Sequence, residues 1–127
     1  MLAMICLARN ADGTTSTIGE IAASENIPPR VLERILLQLK NRGFLSSERG
    51  KTGGYRLARE PREISLLDIV LVFEGSVSML SCVCRERYRP CEFCKEELSC
   101  PIRNTFSAVY SHTVDILRST TLYDLSR

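Results

Sequence analysis

The feature that most constrains the fold is a glycine-rich turn, Arg49–Gly54, between two short strand-like runs at 44–48 and 55–58. Its glycines permit the positive φ values that a tight hairpin turn requires. The run before it, Arg30–Arg42, has apolar residues at helical spacing, follows a pair of prolines and ends at a glycine. A shorter helical pattern comes first, at 18–26. Two helices joined by a short turn and followed by a basic hairpin predict a winged helix-turn-helix.

Positive charge is concentrated in this same region. The whole sequence has a net charge of only +2, but residues 30–59 contain eight basic and two acidic residues, a local charge of +6. A basic block in an otherwise balanced chain is typical of a phosphate-binding face. A solvated surface of scattered charges is the alternative that the count alone allows.

The second half of the chain has a different character. An apolar helix is predicted from Ser65 to Gly75, and a long helix begins at Pro101 and ends near Ser119, about 28 Å at 1.5 Å per residue. The apolar residues of the long helix follow the spacing of a coiled-coil seam: Ile102, Phe106, Val109, Thr113 and Ile116. Because so small a chain offers little to cover this helix, we expect it to pair with its copy in a homodimer.

These patterns predict a mainly α fold with a small β-hairpin wing. We expect a winged helix-turn-helix DNA-binding head at residues 1–64 and a sensor and dimerisation region at 65–127. The second region holds a cysteine-rich loop, 81–100, and the long helix, 101–119. The alternative is a generic helical bundle with an incidental hairpin.

Six segments of the sequence resemble the Rrf2 family of bacterial transcriptional regulators: Ile18–Ala22, Ile27–Glu33, Leu36–Leu39, Gly43–Leu45, Arg49–Ala58 and Thr121–Leu125. The glycine-rich wing with its trailing Tyr-Arg-Leu is the most specific of them. The resemblance implies a homodimeric winged-helix protein that binds a palindromic operator in double-stranded DNA. Several members of the family carry a labile iron–sulfur cluster, and others respond through thiols or a protein partner. Members usually begin with a basic, tyrosine-containing stretch before the first helix, so we expect either a truncated start or the loss of that stretch.

The candidate DNA-reading residues lie at the start and on the polar side of the second head helix: Pro28, Pro29, Arg30, Glu33, Arg34 and Gln38. A recognition helix reads base edges with its N-terminal residues, and arginine suits guanine or phosphate. The resemblance makes Glu33 a base-reading residue, whose carboxylate would accept from the amino group of cytosine. An ion pair with Arg30 or Arg34 is the alternative for Glu33.

The wing supplies three further candidates. The resemblance makes Arg49 an arginine that enters the minor groove, where narrow A·T stretches attract guanidinium groups. Lys51 and Arg56 are expected to contact phosphates and so to set affinity rather than sequence preference.

Five of the six cysteines fall in the loop, at Cys82, Cys84, Cys91, Cys94 and Cys100. Clustered thiols serve metal binding, cluster binding or disulfide chemistry, and structural disulfides are disfavoured in the cytoplasm. Zinc would take four of the five, and the spacing of Cys91 and Cys94 suits it. An iron–sulfur cluster also takes thiolates, often with one different residue. The residues alone therefore leave three readings open: a cluster, zinc, or a thiol switch with no cofactor.

The resemblance favours a [2Fe–2S] cluster and makes Cys82, Cys94 and Cys100 its ligands, with Cys84 and Cys91 as alternates. The loop is longer than in the cluster-binding members compared, and it adds those two cysteines. Where some members have a histidine ligand after the last cysteine, this chain has Arg103. The lone His112 is expected to be a packed polar residue near the dimer seam. Cys6 is expected to be a core thiol of the first helix.

The function expected from these features is a sequence-specific transcriptional regulator, a repressor gated by an iron–sulfur cluster or by cysteine oxidation. The alternative is a zinc- or thiol-based redox or metal-handling protein that uses the winged helix for protein contact. An enzyme is not expected, since the sequence has one histidine and no paired-carboxylate or Ser/His/Asp pattern. A cytoplasmic protein is expected, because no apolar run is long enough to span a membrane and the first eight residues do not resemble a secretory signal.

Overall fold

The computed structural model describes residues 1–10 and 13–127. In these residues the chain forms six α-helices, one two-stranded antiparallel sheet and one 3-10 turn at Pro61–Glu63. The helices and strands, in chain order, are α1 Leu2–Arg9, α2 Ile18–Glu25, α3 Pro29–Asn41, β1 Leu45–Glu48, β2 Gly54–Leu57, α4 Leu66–Glu74, α5 Pro101–Ser119 and α6 Leu122–Ser126. The predicted mainly α fold with a hairpin wing is confirmed.

The chain divides into two compact units. Unit 1 consists of Met1–Ser65 and Thr120–Arg127, and unit 2 of Leu66–Ser119. This division differs from the one expected from the sequence in the last eight residues, which join unit 1. The reason is that α6 packs against α1 and its Leu122 is completely buried.

Unit 1 is closed where its two chain segments meet. Ser65 and Thr121 form an isolated antiparallel bridge, and the backbone N–H of Leu122 donates to the carbonyl of Ile64 at 2.8 Å. The largest completely buried side chains in the described part of unit 1 form its core: Met4, Ile21, Leu32, Leu36, Leu39, Ile64 and Leu122. Residues from both segments therefore share one core.

Local signals place α2 and α3. Thr17 caps α2, and Thr17 and Glu20 form a capping box in which each side chain accepts from the other residue's backbone N–H. Asn26 ends α2 in the left-handed conformation, at φ 52°. Pro29 then opens α3 at a position where a missing N–H costs nothing. These signals make the short turn between the two helices.

The hairpin is joined to the rest of unit 1 through Ser16. Leu45 pairs with Leu57 and Glu48 with Gly54, and the backbone groups of Ser16 and Tyr55 exchange hydrogen bonds of 2.8 and 2.9 Å. A Cβ atom at position 54 would lie 2.5 Å from the carbonyl oxygen of Ser16. Glycine is required there because the two backbones approach so closely.

Unit 2 is built on α4 and α5, which pack against each other. Its core contains Leu67, Cys82, Val83, Tyr110 and Val114. The bounds of α5 are those predicted from the sequence. Residues 75–100, all of which are described, contain turns and no helix or strand. No helix in the described ranges is both long and apolar enough to cross a membrane.

Candidate nucleic-acid interface and cysteine pocket

The predicted reading residues of α3 form an exposed face. Leu32, Leu36 and Leu39 bury the opposite side of this helix in the core of unit 1. The exposed set is the one expected from the sequence, from the N-cap onward: Pro28, Pro29, Arg30, Glu33, Arg34 and Gln38. Glu33 and Arg34 follow Arg30 by three and four residues, so both lie beside Arg30 on the helix surface. The fold thus brings these charged groups together in the first two turns of α3.

The charged groups on this face are not tied to one another. In the part of the chain that the structure describes, no ion pair joins Glu33 to Arg30 or Arg34. Their side chains point into solvent at the N-terminal half of α3. The carboxylate and the two guanidinium groups are therefore available to an external partner, as base reading requires.

One residue of α3 was missed by the sequence reasoning. Val31 is one of the apolar residues of the 30–42 pattern and was expected to be buried, but it is 43% exposed next to Arg30. The buried residues Leu32, Leu36 and Leu39 are four and three residues apart, and Val31 falls outside that spacing. Its exposure was thus predictable from helix geometry, and an apolar side chain at this place suits a thymine methyl group.

The tip of the wing carries two exposed cations, Arg49 and Lys51. The turn is closed by the backbone N–H of Gly53, which donates to the carbonyl of Gly50 at 3.0 Å. Gly50 has φ 113°, a conformation that other residues rarely adopt. The turn chemistry thus projects both cations from the end of the hairpin.

Arg56 differs from the two cations at the tip. Its Nη2 lies 3.1 Å from Oε1 of Glu48, and its Nε donates to Oγ of Ser46 at 3.3 Å. Ser46 is its cross-strand partner in the register of the hairpin. Its charge is thus partly neutralised within the wing, which separates Arg56 from Arg49 and Lys51 as a candidate phosphate contact.

Four cysteines of the segment 81–100, hereafter the cysteine segment, line one pocket of about 490 Å³: Cys82, Cys91, Cys94 and Cys100. The rest of the lining is mixed: apolar side chains, among them Leu80, Phe93 and Ile102, and four charged ones, Arg89, Glu92, Glu97 and Arg103. Cys82 is buried, Cys94 and Cys100 are half-buried, and Cys91 is exposed. We call this the cysteine pocket.

Cys84 does not line the cysteine pocket. Its side chain is only 5% exposed, and its Sγ lies 3.2 Å from Oγ of Ser76. The backbone N–H of Arg87 donates to the same sulfur at 3.2 Å, and the thiol donates to the Glu86 carboxylate at 3.5 Å. The fifth cysteine of the segment is therefore held within unit 2 by its own polar contacts.

Arg103 links the two ends of the cysteine segment. Its Nε donates to the carbonyl of Cys82 at 3.3 Å, and its backbone N–H donates to Sγ of Cys100 at 3.5 Å. That N–H lowers the pKa of the Cys100 thiol, whereas desolvation and the neighbouring Cys100 thiol raise the pKa of Cys94. Cys94 and Cys100 are thus close enough to affect each other's ionisation.

The cysteines of the pocket are the kind of ligand that an iron–sulfur cluster uses. They are not already arranged around a single point, as a preformed site for one metal ion would be. Thiolates are the ligands that such clusters use, and four of them surround one pocket. No three His, Cys, Asp or Glu side chains among residues 1–10 and 13–127 stand close enough to hold a single metal ion. Binding of either a zinc ion or a cluster would therefore draw the thiols of the pocket closer together.

The remaining candidates lie elsewhere. His112 is exposed on α5 in the single chain, so its packing near the dimer seam stays a prediction. Cys6, in the middle of α1, is half-buried rather than a core thiol, and its Sγ lies 3.9 Å from Oγ of Ser24.

Comparisons with known proteins agree with this architecture. The profile of a family described as "Rrf2: Iron-dependent Transcriptional regulator" matches residues 1–127. An rrf2-like HTH-type transcriptional regulator of Rhodobacter capsulatus is 38% identical over 118 residues, which are 93% of this chain and 79% of the relative. The HTH-type transcriptional regulator CymR of Bacillus subtilis is 34% identical over 123 residues, 97% of this chain and 80% of CymR.

Solved structures show the same relationship. The structure of CymR, described as the global cysteine regulator of B. subtilis, superposes with a TM-score of 0.79 at 32% identity and covers 97% of this chain and 86% of that one. The structure of T. potens IscR superposes with a TM-score of 0.75 at 29% identity. The match covers 98% of this chain and 77% of the IscR chain. The family consists of transcriptional regulators and not of enzymes.

Proposed function

This chain belongs to the Rrf2 family of DNA-binding transcriptional regulators, and from that premise we propose that it is a repressor whose operator binding is controlled by a [2Fe–2S] cluster in the cysteine pocket. The observation that carries the proposal is that Cys82, Cys94 and Cys100 line one pocket in a chain whose head has an exposed basic face. Because the proposed target is DNA, we expect it to act in the cytoplasm.

The head supplies the contacts with DNA. Arg30, Glu33 and Arg34 form an exposed row at the start of α3, which suits entry of that end into the major groove. Arg49 at the wing tip suits the adjacent minor groove, and Lys51 suits a phosphate. The ion pair of Arg56 with Glu48 supports a lesser role for Arg56.

A homodimer is supported by the exposed side of α5. Ile102, Val109 and Ile116 are 62%, 39% and 65% exposed, and they recur every seven residues. Phe106, between them in the predicted seam, packs instead against the core of unit 2. A repeat of apolar residues every seven positions is the pattern by which a helix pairs with a copy of itself, and a two-fold dimer matches a palindromic operator.

The cysteine pocket is the proposed cluster site. When bound, a cluster supplies thiolate-ligated iron that responds to oxidants and to iron supply. Cys82 follows the turns after α4, and Cys100 directly precedes Pro101, the first residue of α5. Fixing these two thiols therefore fixes the chain at the entrance to the proposed dimer helix.

Control of DNA binding follows from this connection. The two half-sites of an operator lie about one helical turn of DNA apart, so a small change in the spacing of two heads costs affinity. A change at the start of α5 acts on both protomers at once. The cysteine pocket then controls DNA binding if the cluster-loaded and cluster-free states of the cysteine segment differ in operator affinity.

The test uses the full chain purified without oxygen. Iron, acid-labile sulfide and zinc are counted per chain, and the visible spectrum is recorded. An operator is then selected from random-sequence DNA, and its affinity for the iron-loaded and iron-free protein is measured at one salt concentration, because affinity for DNA depends on salt. We expect near-stoichiometric iron and sulfide and at least a tenfold difference in affinity, about 1.4 kcal/mol.

Other results would lead to other mechanisms. A protein without iron that carries one zinc per chain contradicts the cluster. A metal-free protein whose operator affinity changes with reversible thiol oxidation supports a thiol switch, to which the proximity of Cys94 and Cys100 is suited. Equal affinity of the loaded and iron-free forms contradicts gating by the cluster.

A further inference from the structure

We propose that Cys91 is the fourth ligand in the cysteine pocket and that Cys84 is not a ligand. The assignment rests on the proposed function, since it concerns the group held by Cys82, Cys94 and Cys100. It gives the pocket four thiolates, without the different residue that often completes a cluster site. The sequence left both Cys84 and Cys91 open as alternate ligands.

Backbone hydrogen bonds bring Cys91 to the pocket. The backbone N–H of Arg89 donates to the carbonyl of Ser81 at 3.1 Å, so the chain just before Cys91 lies against the residue that precedes Cys82. The N–H of Cys94 then donates to the carbonyl of Cys91 at 3.3 Å. One short turn therefore holds Cys91 beside Cys94. The hydrogen bond between Arg89 and Ser81 holds Cys91 close to Cys82.

Side chains attach the same stretch to the other end of the segment. The hydroxyl of Tyr88 donates to the carboxylate of Glu97, and that carboxylate also lies 4.0 Å from Nε of Arg103. Arg103 in turn holds Cys82 through its carbonyl oxygen. The position of Cys91 is thus supported from three places in unit 2, although its own side chain is exposed.

The thiol of Cys84 is engaged in hydrogen bonds outside the cysteine pocket. It accepts from the backbone N–H of Arg87, contacts the hydroxyl of Ser76 and donates to Glu86. Rotating its sulfur into the pocket would break all three contacts, so the thiol is held away from the pocket. Cys84 therefore acts as a positioning residue that shapes the first part of the segment.

The other side chains near the pocket are poor substitutes for a fourth thiolate. Arg103 stands three residues after Cys100, but a guanidinium group has no free lone pair to bind iron. His112 is twelve residues beyond Cys100, which is about 18 Å along a helix. Glu97 is engaged by Tyr88 and Arg103, and Glu92 offers carboxylate oxygens that are harder than the sulfur donors clusters prefer.

The test compares Cys91→Ser with Cys84→Ser, each made in the full chain and reconstituted with iron and sulfide without oxygen. The readouts are iron and sulfide per chain and the electron paramagnetic resonance spectrum of the reduced protein. We expect Cys91→Ser to lose iron by roughly tenfold, or to retain it with shifted g values because serine supplies oxygen instead of sulfur. Cys84→Ser should keep the wild-type iron content and spectrum, because a hydroxyl can donate and accept as the thiol does.

Two outcomes overturn the assignment. One is a Cys91→Ser protein with unchanged iron and unchanged g values. The other is a Cys84→Ser protein that loses as much iron as Cys91→Ser while circular dichroism shows it folded. If Cys84→Ser does not fold, the result for Cys91→Ser alone decides the fourth ligand, since Cys91 is exposed and its replacement leaves the core untouched.

Failure of the proposed function is distinguishable from failure of this assignment. The wild-type protein is measured first, and an absence of iron there removes the cluster and the assignment together. Iron in the wild type with no effect of Cys91→Ser removes the assignment only. In that case Glu92→Gln, measured in the same way, determines whether the carboxylate takes the fourth position.

Discussion

The hydroxyl of Tyr110 donates to the carboxylate of Glu86, 3.1 Å from one oxygen and 3.2 Å from the other. Tyr110 is buried on α5 in the core of unit 2, whereas Glu86 lies in the cysteine segment. Burial, together with this hydrogen bond, raises the pKa of Tyr110. The pair therefore ties the segment to the helix at a point ten residues beyond Cys100.

Replacing Tyr110 by phenylalanine removes this tie and little else. We expect Tyr110→Phe to lower the free energy of unfolding of unit 2 by about 1 kcal/mol, the usual contribution of one hydrogen bond. Hydrogen exchange at residues of α4 and α5, recorded during urea denaturation, measures this change in the free energy of unfolding. The control is Tyr55→Phe, which removes a tyrosine hydroxyl in unit 1 and should leave exchange in unit 2 unchanged. Equal exchange in Tyr110→Phe and the wild type would contradict the prediction.

Arg49→Ala should weaken operator binding at least about tenfold, since an exposed guanidinium at the wing tip suits the minor groove. Binding of labelled operator is titrated at two salt concentrations, and a lost ionic contact lowers the salt slope by about one. Arg118→Ala is the matched control, because it removes the same charge from the last turn of α5. Unchanged affinity of Arg49→Ala would remove this residue from the interface.

Glu33→Ala should change which operators are bound more than how tightly they are bound. A carboxylate that accepts from cytosine discriminates by about 1–3 kcal/mol against other bases at its position. Selection from a pool of randomised operators, sequenced for the wild type and for Glu33→Ala, measures this preference. We expect the variant to accept several bases at one position per half-site and to keep the wild-type preferences elsewhere. The same preferences at every position in both proteins would show that Glu33 does not read a base.

Val109→Asp should dissociate the proposed dimer, because it places a carboxylate in the middle of the exposed apolar stripe of α5. Light scattering after size-exclusion chromatography measures the mass over a range of concentrations. Ala108→Asp provides the control: it makes the same change at the neighbouring exposed position, which lies on a different side of the helix. Equal masses for both variants would place the interface elsewhere.

The capping box of α2 predicts a dependence of stability on pH. The backbone N–H of Thr17 donates to the Glu20 carboxylate at 2.7 Å and, with the Thr17 hydroxyl, holds the pKa of Glu20 below its ordinary value of 4.5. Since the pKa of Glu20 is lower in the folded state, the hydrogen bond stabilises unit 1 at pH values above the ordinary pKa of glutamate. This contribution is lost as the pH falls through the lowered value.

Glu20→Gln should therefore flatten this dependence between about pH 5 and pH 3. Urea midpoints of the wild type and the variant, measured at several pH values in this range, show the difference in slope. Thr121 and Asp124 form a second capping box, at the start of α6. Because the Thr121 hydroxyl and backbone lower the pKa of Asp124, we expect Asp124→Asn to flatten the pH dependence of stability as well. Parallel curves for the wild type and Glu20→Gln would show that this bond does not contribute.

Much of the fold was predictable because particular residues mark its boundaries. Pro101 begins α5, Gly43 and Gly75 follow the ends of α3 and α4, and the positive φ of both glycines explains why the helices stop there. The glycine-rich turn fixed the hairpin in the same way. These are local signals, and each is read from a few neighbouring residues.

The cysteine pocket was less predictable because its arrangement depends on distant contacts. Nothing in the spacing of Cys84 and Cys91 shows that Ser76 and Arg87 would hold the first of them inside unit 2. Nor does the spacing show that Arg89 pairs with Ser81. The segment has no hydrophobic periodicity, so its course follows from individual hydrogen bonds.

The bridge between Ser65 and Thr121 makes unit 2 an insertion into unit 1, since the chain leaves and re-enters unit 1 at neighbouring residues. An insertion with adjacent ends can change in length or content without stretching the structure that receives it. Such an architecture lets the winged-helix unit be combined with different inserted units. It also marks residues 65 and 121 as the junctions at which a chimeric regulator can be joined.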